Sequence, residues 1–181
     1  MSAAQIVTLL AAAVLVFWMV GAYNRLVRLR NAIGAAWAQH DAQLQRRAAG
    51  LPALLASLRV PLAAEQSALD AVAAAQQHAA AAADRLRAAP VNAPAASALL
   101  LAMAKLDSGL ARLLALLDQH PALRARPEVS ASLRELHDVD LRLAFARQMF
   151  NDAAQAYDSA ARQWPTRLLA RLYSFGAAGR L

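Results

Sequence analysis

Cysteine is absent from this chain, which excludes a disulfide frame and any thiolate nucleophile or metal ligand. The absence agrees with a reducing compartment. Lysine is almost absent too. Arginine outnumbers it eighteen to one, a bias we read as genomic base composition rather than chemistry. Glycine is scarce, with 6 residues. β-Branched residues are few, and no alternating apolar–polar run extends beyond a few positions. Those shortages leave little from which to build a sheet. Alanine, the best helix former, is abundant, so the fold class is all-α.

What is present begins with one uncharged stretch. Ala3 to Tyr23 holds 21 residues without a charge, close to the roughly 20 that a helix needs to cross a hydrocarbon core. Trp18 and Tyr23 suit the membrane–water interface. A secretory signal would carry a basic leading segment and a small-residue cleavage site. Here Ser2-Ala3-Ala4-Gln5 leads, and Gly21-Ala22-Tyr23-Asn24-Arg25 follows. Residues 1–23 are therefore expected to be a transmembrane anchor. Arg25, Arg28 and Arg30 form a basic juxtamembrane flank, so the following domain is expected on the cytoplasmic side and the N-terminus outside. That reading gives a single-pass membrane protein with its domain on the cytoplasmic face.

The net charge of +7 is uneven. Residues 24–59 carry six arginines against Asp41 alone, and residues 159–181 carry four arginines and no acid. Between them, acids slightly exceed bases. Basic segments beside an anchor attract anionic lipid by about 1 kcal/mol per residue near the surface. Orientation alone already accounts for Arg25, Arg28 and Arg30.

Beyond the span, the pattern predicts long helices. A helix continues without a break into residues 24–59, where Trp37, Leu44, Leu51 and Leu58 recur every seven residues beside Ile33, Ala48 and Leu55. Gly50 and Pro52 predict a kink, and Val60-Pro61 a boundary. An alanine-dominated helix follows to Ala89, then a loop at Pro90–Pro94. Leu99, Met103, Leu106, Leu110, Leu113 and Leu117 step by four and three, an apolar seam over three heptads. Leu100, Leu101, Leu114 and Leu116 widen that face toward burial in a bundle. The last long helix, Glu128–Trp164, puts Val129, Leu133, Leu136, Leu143, Phe150, Ala154, Tyr157, Ala161 and Trp164 on one stripe. Residues 24–165 are expected to form an antiparallel bundle. Residues 166–181 are expected to form an amphipathic tail, with Leu168, Leu169, Leu172 and Phe175 apolar and Gly176–Leu181 loose.

Candidate chemistry is thin. His137 and Asp140 share a helix face, but no second pair at helical spacing completes a metal site. The histidines are scattered and no nucleophile–base set is present, so neither catalysis nor a cofactor or metal is expected. Arginines are dispersed without interleaved aromatics, which argues against nucleic acid. The informative oddity is Asp140 and Arg147 on an apolar stripe, because buried charge needs a partner. One reading is a structural polar layer of Asp41, Arg46, Arg47, Asp140, Arg147 and Asn151 that sets helix register. In the other, Arg147 reaches solvent along its stem and Asp140 sits at the stripe edge.

Three blocks carry a family resemblance. The first is Tyr23–Leu58, with Tyr23, Asn24, Asn31, Trp37, Asp41, Gln43, Leu44, Arg46, Arg47 and Pro52. The second is Arg112–Val129. The third is Leu141–Phe175, with Ala144-Phe145-Ala146-Arg147, Phe150-Asn151-Asp152-Ala153, Tyr157 and Pro165. In order and spacing they resemble the LemA family of bacterial membrane proteins. The chain departs from the family pattern at Ala53, Leu141, Thr166, Arg167, Arg171 and Ser174. The resemblance implies a membrane-anchored helical bundle whose biochemical activity is poorly defined. Some members occur beside membrane proteases, and one serves in building magnetosome membranes. Together these readings favour a non-catalytic scaffold or adaptor at the cytoplasmic membrane face. It would contact a membrane-protein partner such as a protease, or copies of itself, through surplus apolar residues such as Leu101. The alternative is a lipid-binding or membrane-remodelling role through the basic juxtamembrane helix and the Arg-rich tail.

Overall fold

The computed structural model describes every residue except Met1, Ser174 and Phe175. Helix α1 spans Ala3–Arg59. Ser2 starts it with a capping box: its side chain accepts from the Gln5 amide while the Gln5 side chain accepts from the Ser2 amide. At 57 residues the helix is about 85 Å long. It runs through Gly50 and Pro52 without ending. The packing of Leu51, Leu54 and Leu55 on both sides of the proline supports the ladder where one backbone bond is lost. The chain breaks at Val60-Pro61, as expected, and a short 3₁₀ turn at Ala63–Glu65 leads into α2, Gln66–Ala88. Helix α3 spans Ala93–Asp118; the Asn92 side chain caps it by accepting from the Ala95 amide at 2.9 Å. A single turn, α4 (Pro121–Arg124), joins it to α5, Pro127–Arg162. Helix α6 is Thr166–Leu172. Among the described residues there is no strand, only an isolated bridge between Asn92 and Ala178.

Packing is uneven. Helix α1 lies along α5 and also against α2, while α2 lies along α3. Helices α3 and α5 share no comparable contact, so the bundle is open along one side. The α1 stripe is buried as the periodicity implies, with Ile33, Trp37, Leu44, Leu51, Leu55 and Leu58 all in the core. The α3 seam is buried too, at Leu99, Leu106, Leu110, Leu113 and Leu117. Full burial of such side chains is worth about 1.5–3 kcal/mol each. The widened α3 face is different: Leu100, Leu101 and Leu114 are exposed. Leu100 and Leu114 border the open side between α3 and α5.

Two hydrophobic cores result. The proximal one, nearer the N-terminal stretch, gathers Leu26, Ile33, Trp37, Leu44, Leu86, Leu99, Leu143, Phe150 and Tyr157. The distal one gathers Leu51, Leu58, Leu69, Leu106, Leu113, Leu117 and Val129. Between Leu44 and Leu51 on α1 lies Arg47, so a polar waist separates them.

The final residues depart from the loose tail expected. The Asn151 side-chain amide holds the backbone of Leu181 at both its carbonyl (2.7 Å) and its amide (2.8 Å). Asp158 accepts from the Ala178 amide at 2.9 Å, and the Tyr157 hydroxyl donates to the Gly176 carbonyl at 3.1 Å. Residues 176–181 thus form a strap across α5 and the α2–α3 loop. Gly179 is essential to its fit: a Cβ there would lie 2.5 Å from Ala96 Cβ and 2.8 Å from Ala93 Cα. Gly179→Val should therefore expel the strap. Hydrogen exchange would show it as lost protection at the Ala178, Gly179 and Leu181 amides, with α1 and α3 amides unchanged; retained protection would refute the fit. Phe175, and the side chains of Leu169 and Leu172, on which the apolar face of the tail rests, lie outside the described residues.

Candidate functional site

The polar waist is built from four elements. Arg47 of α1 is buried, its side chain only 6% exposed. Its Nη2 donates to Asp107 Oδ1 of α3 at 2.6 Å, a charge-assisted bond. Its Nε lies 3.0 Å from Asp140 Oδ1 of α5, close enough for an ion pair but misaligned for a hydrogen bond. Burial pushes the Asp140 carboxyl above the usual carboxylate range, against the lowering effect of Arg47. On the α2 side, Asp41 accepts from Arg87 at 2.7 and 2.9 Å and from Gln45 at 2.9 Å. Those bonds hold the half-exposed Arg87 guanidinium even more firmly protonated.

Two turns before Arg47, His40 is buried. Its ring stacks on Trp37, centroids 5.5 Å apart, and Trp37 meets Phe150 of α5 edge-on at 6.1 Å. Burial, with nearby Arg147 reinforcing it and Asp41 opposing it, lowers the His40 pKa to about 4. The ring is therefore neutral at pH 7.

Of the six residues expected in one layer, only Arg47 and Asp140 form an ion pair with each other, while Arg147 lies on the edge of the cleft that both line. Asp41 faces α2 and takes Arg87 instead. Asn151 clamps the strap. Arg46 is exposed. Arg147 is exposed as well, and no ion pair is found for it among the described residues. Arg147 reaches solvent, and α3 does not close over that face of α5. Arg25, Arg28 and Arg30 are exposed on α1, and Arg25 donates to Gln163 at 3.2 Å. Sequence reasoning missed Asp107 and Arg87. Asp107 is the one acid amid the leucines of α3 before its last residue, which was a usable signal. Arg87 looks like an ordinary basic residue in a helix's last turn.

Two cavities flank Arg47. A cleft of about 360 Å³ opens between α3 and α5, and a second, about 270 Å³, lies under the alanines of α2. Their polar lining is arginine, aspartate, glutamine and histidine. Among the described residues, no three metal-ligating side chains converge.

This waist, the aromatic stack and the strap all fall inside residues 36–180, which match the LemA family model. The chain belongs to the LemA family. The match takes in most of the chain and starts at Ala36, so it rests on the bundle rather than on the apolar N-terminal stretch. No curated protein matches the chain. The LemA bundle thus sits on α1, whose N-terminal part is one helix long and apolar enough to cross a membrane.

Proposed function

We propose that this LemA-family protein is a membrane-anchored, non-catalytic helical scaffold or adaptor at the cytoplasmic face of the bacterial inner membrane. The observation that carries it is α1 itself. Ile6, Val7, Leu9, Leu10, Val14, Leu15, Val16 and Phe17 are all exposed, whereas from Leu26 onward the same helix forms the bundle core. Apolar surface of that extent in a monomer marks an interaction or membrane site, and its length suits a bilayer. Anchor and bundle share one helix, so the bundle is held rigidly rather than on a tether. The arginines at 25, 28 and 30 support a cytoplasmic bundle. Leu101 of α3 and the Leu141–Phe145–Met149 stripe of α5 stay exposed and suit contact with a membrane-protein partner or another copy. Within the bundle, we propose that Arg47, reaching acids on both α3 and α5, sets the register of those helices against α1.

The native lack of cysteine makes the test direct. Single cysteines placed at Leu101 or Phe145 should crosslink in native membranes, to a distinct protein in fixed ratio or to the chain's own multiples. The same variants lacking residues 1–23 should appear in the soluble fraction and lose the crosslinks. Intact crosslinks without the anchor, or none with it, would retire the scaffold reading.

A second reading, lipid contact, is favoured by one observation. Helix α6 packs beside α1 where the uncharged stretch ends, with the Tyr23 and Tyr173 rings 5.3 Å apart. Trp164, Leu168 and Tyr173 are exposed there, the side-chain types that settle at a headgroup layer. Attraction of the basic flank and tail to anionic lipid would fade above physiological ionic strength, while an apolar protein contact would persist.

A further inference from the structure

The cleft between α3 and α5 has no role in either reading. Its walls are apolar, from Leu100, Met103, Leu110 and Leu114 on α3 and Leu143 on α5. Its volume falls in the range of ligand pockets, about 300–1,000 Å³. Its few polar groups are unusual. Arg47 and His40 line it, each more than nine-tenths buried. Arg47 Nη1, His40 Nδ1 and Asp140 Oδ1 have no hydrogen-bond partner among the described residues, and all three atoms are shut off from solvent. Buried polar groups are nearly always satisfied, so each orphan calls for an explanation. At the rim stands Arg147, a cation with no acidic side-chain partner among the described residues. Asp107 and Asp140 also line the cleft, but both already face the Arg47 guanidinium. Arg47 is thus matched by two acids, and the charge left to satisfy is that of Arg147, at the edge of an apolar trough.

We propose that this cleft binds an aliphatic carboxylate, its head on Arg147 and its chain lying between α3 and α5. A neutral His40 beside the head can donate or accept, and it adds no competing charge. The fork of Arg147 suits a carboxylate in two-point contact. The apolar trough supplies the remaining affinity by burying the chain. Leu181 also lines the cleft, which gives the Asn151 clamp a positioning role: it holds one wall in place. This inference does not depend on the scaffold or lipid readings.

The probe is hexanoate, titrated calorimetrically into the full chain in nanodiscs against empty nanodiscs. Acetate supplies the head without the chain, and 1-hexanol the chain without the charge. The expected result is saturable binding of one hexanoate per chain, at least tenfold tighter than either control. Arg147→Gln, at an exposed position, should weaken hexanoate tenfold or more and leave hexanol unchanged. Ala144→Trp, also exposed and on the cleft wall, should block both. Absence of saturable binding, equal binding of hexanol, or hexanoate affinity indifferent to both substitutions would overturn the proposal.

Discussion

Arg47→Ala should lower folding stability by about 3 kcal/mol, whereas Arg147→Ala should cost under about 0.5 kcal/mol. In sequence Arg47 follows Gln45 and Arg46, whereas Arg147 sits on the apolar stripe of the last long helix. In the structure Arg47 is buried between Asp107 and Asp140, and Arg147 is exposed. Removing the Arg47 guanidinium forfeits its pairing with two acids, where a charged hydrogen bond contributes about 1.5–3 kcal/mol. Its aliphatic stem adds about 0.8 kcal/mol for each buried methylene. Two effects hold the loss below the sum. The side chains of Asp107 and Asp140 are 56% and 42% exposed, so water can solvate them once unpaired. The guanidinium also carries its own desolvation cost, with Nη1 unpartnered. Arg47→Met separates charge from packing. It keeps the buried stem but loses the same ion pairs, so it should cost about 1.5 kcal/mol, roughly half the loss of Arg47→Ala. Urea unfolding of the full chain in micelles would measure all three. Equal losses for Arg47→Ala and Arg147→Ala would refute the placement of the charge, and a Met variant as unstable as the Ala variant would assign the whole effect to the ion pairs.

Acid should destabilise the bundle through His40 by roughly 3 kcal/mol between about pH 6.5 and pH 4. The sign follows from the proton count. His40 is held at about 4 in the fold and returns to about 6.5 when unfolded. Between those values the unfolded chain binds the extra proton, so stability rises with pH. The contribution is complete above about 6.5 and is lost as pH falls toward 4. Asp140 works the other way. Its carboxyl is raised in the fold, so acid relieves some of its burial cost as the carboxylate range is approached. His40→Gln removes the histidine and should flatten the unfolding midpoint between pH 4.5 and 6.5. A slope unchanged in that variant would mean that the histidine is not held neutral by its surroundings.

Much of this architecture is legible in the sequence. Trp37, Leu44, Leu51 and Leu58 announce the α1 face because helical period and burial are the same fact seen twice. The prolines at 61, 121 and 165 mark ends, since a residue without an N–H cannot continue a ladder. Pro52 carries the same chemistry and ends nothing, because neighbours packed on both sides hold the helix through it. The strap was illegible. Residues 176–181 have no period, and their order comes from Asn151, Asp158 and Tyr157, which meet the segment's backbone rather than its side chains.

By itself the sequence determined that this protein is helical, that its first helix carries a stretch apolar enough for a bilayer, and that it belongs with LemA proteins. Those are properties of local propensity, hydrophobic period and motif order, each readable within a few turns of chain. Only the tertiary structure decided which charges are buried and with whom. Arg47 and Asp107 lie 60 positions apart, and although Asp107 stands out among the α3 leucines, no local rule pairs it with Arg47 rather than with another base. The fate of Arg147 was decided in the same way. Its exposure and the cleft beneath it both follow from α3 packing on α2 instead of closing against α5, a choice made by the summed fit of whole helix faces and not by any one residue.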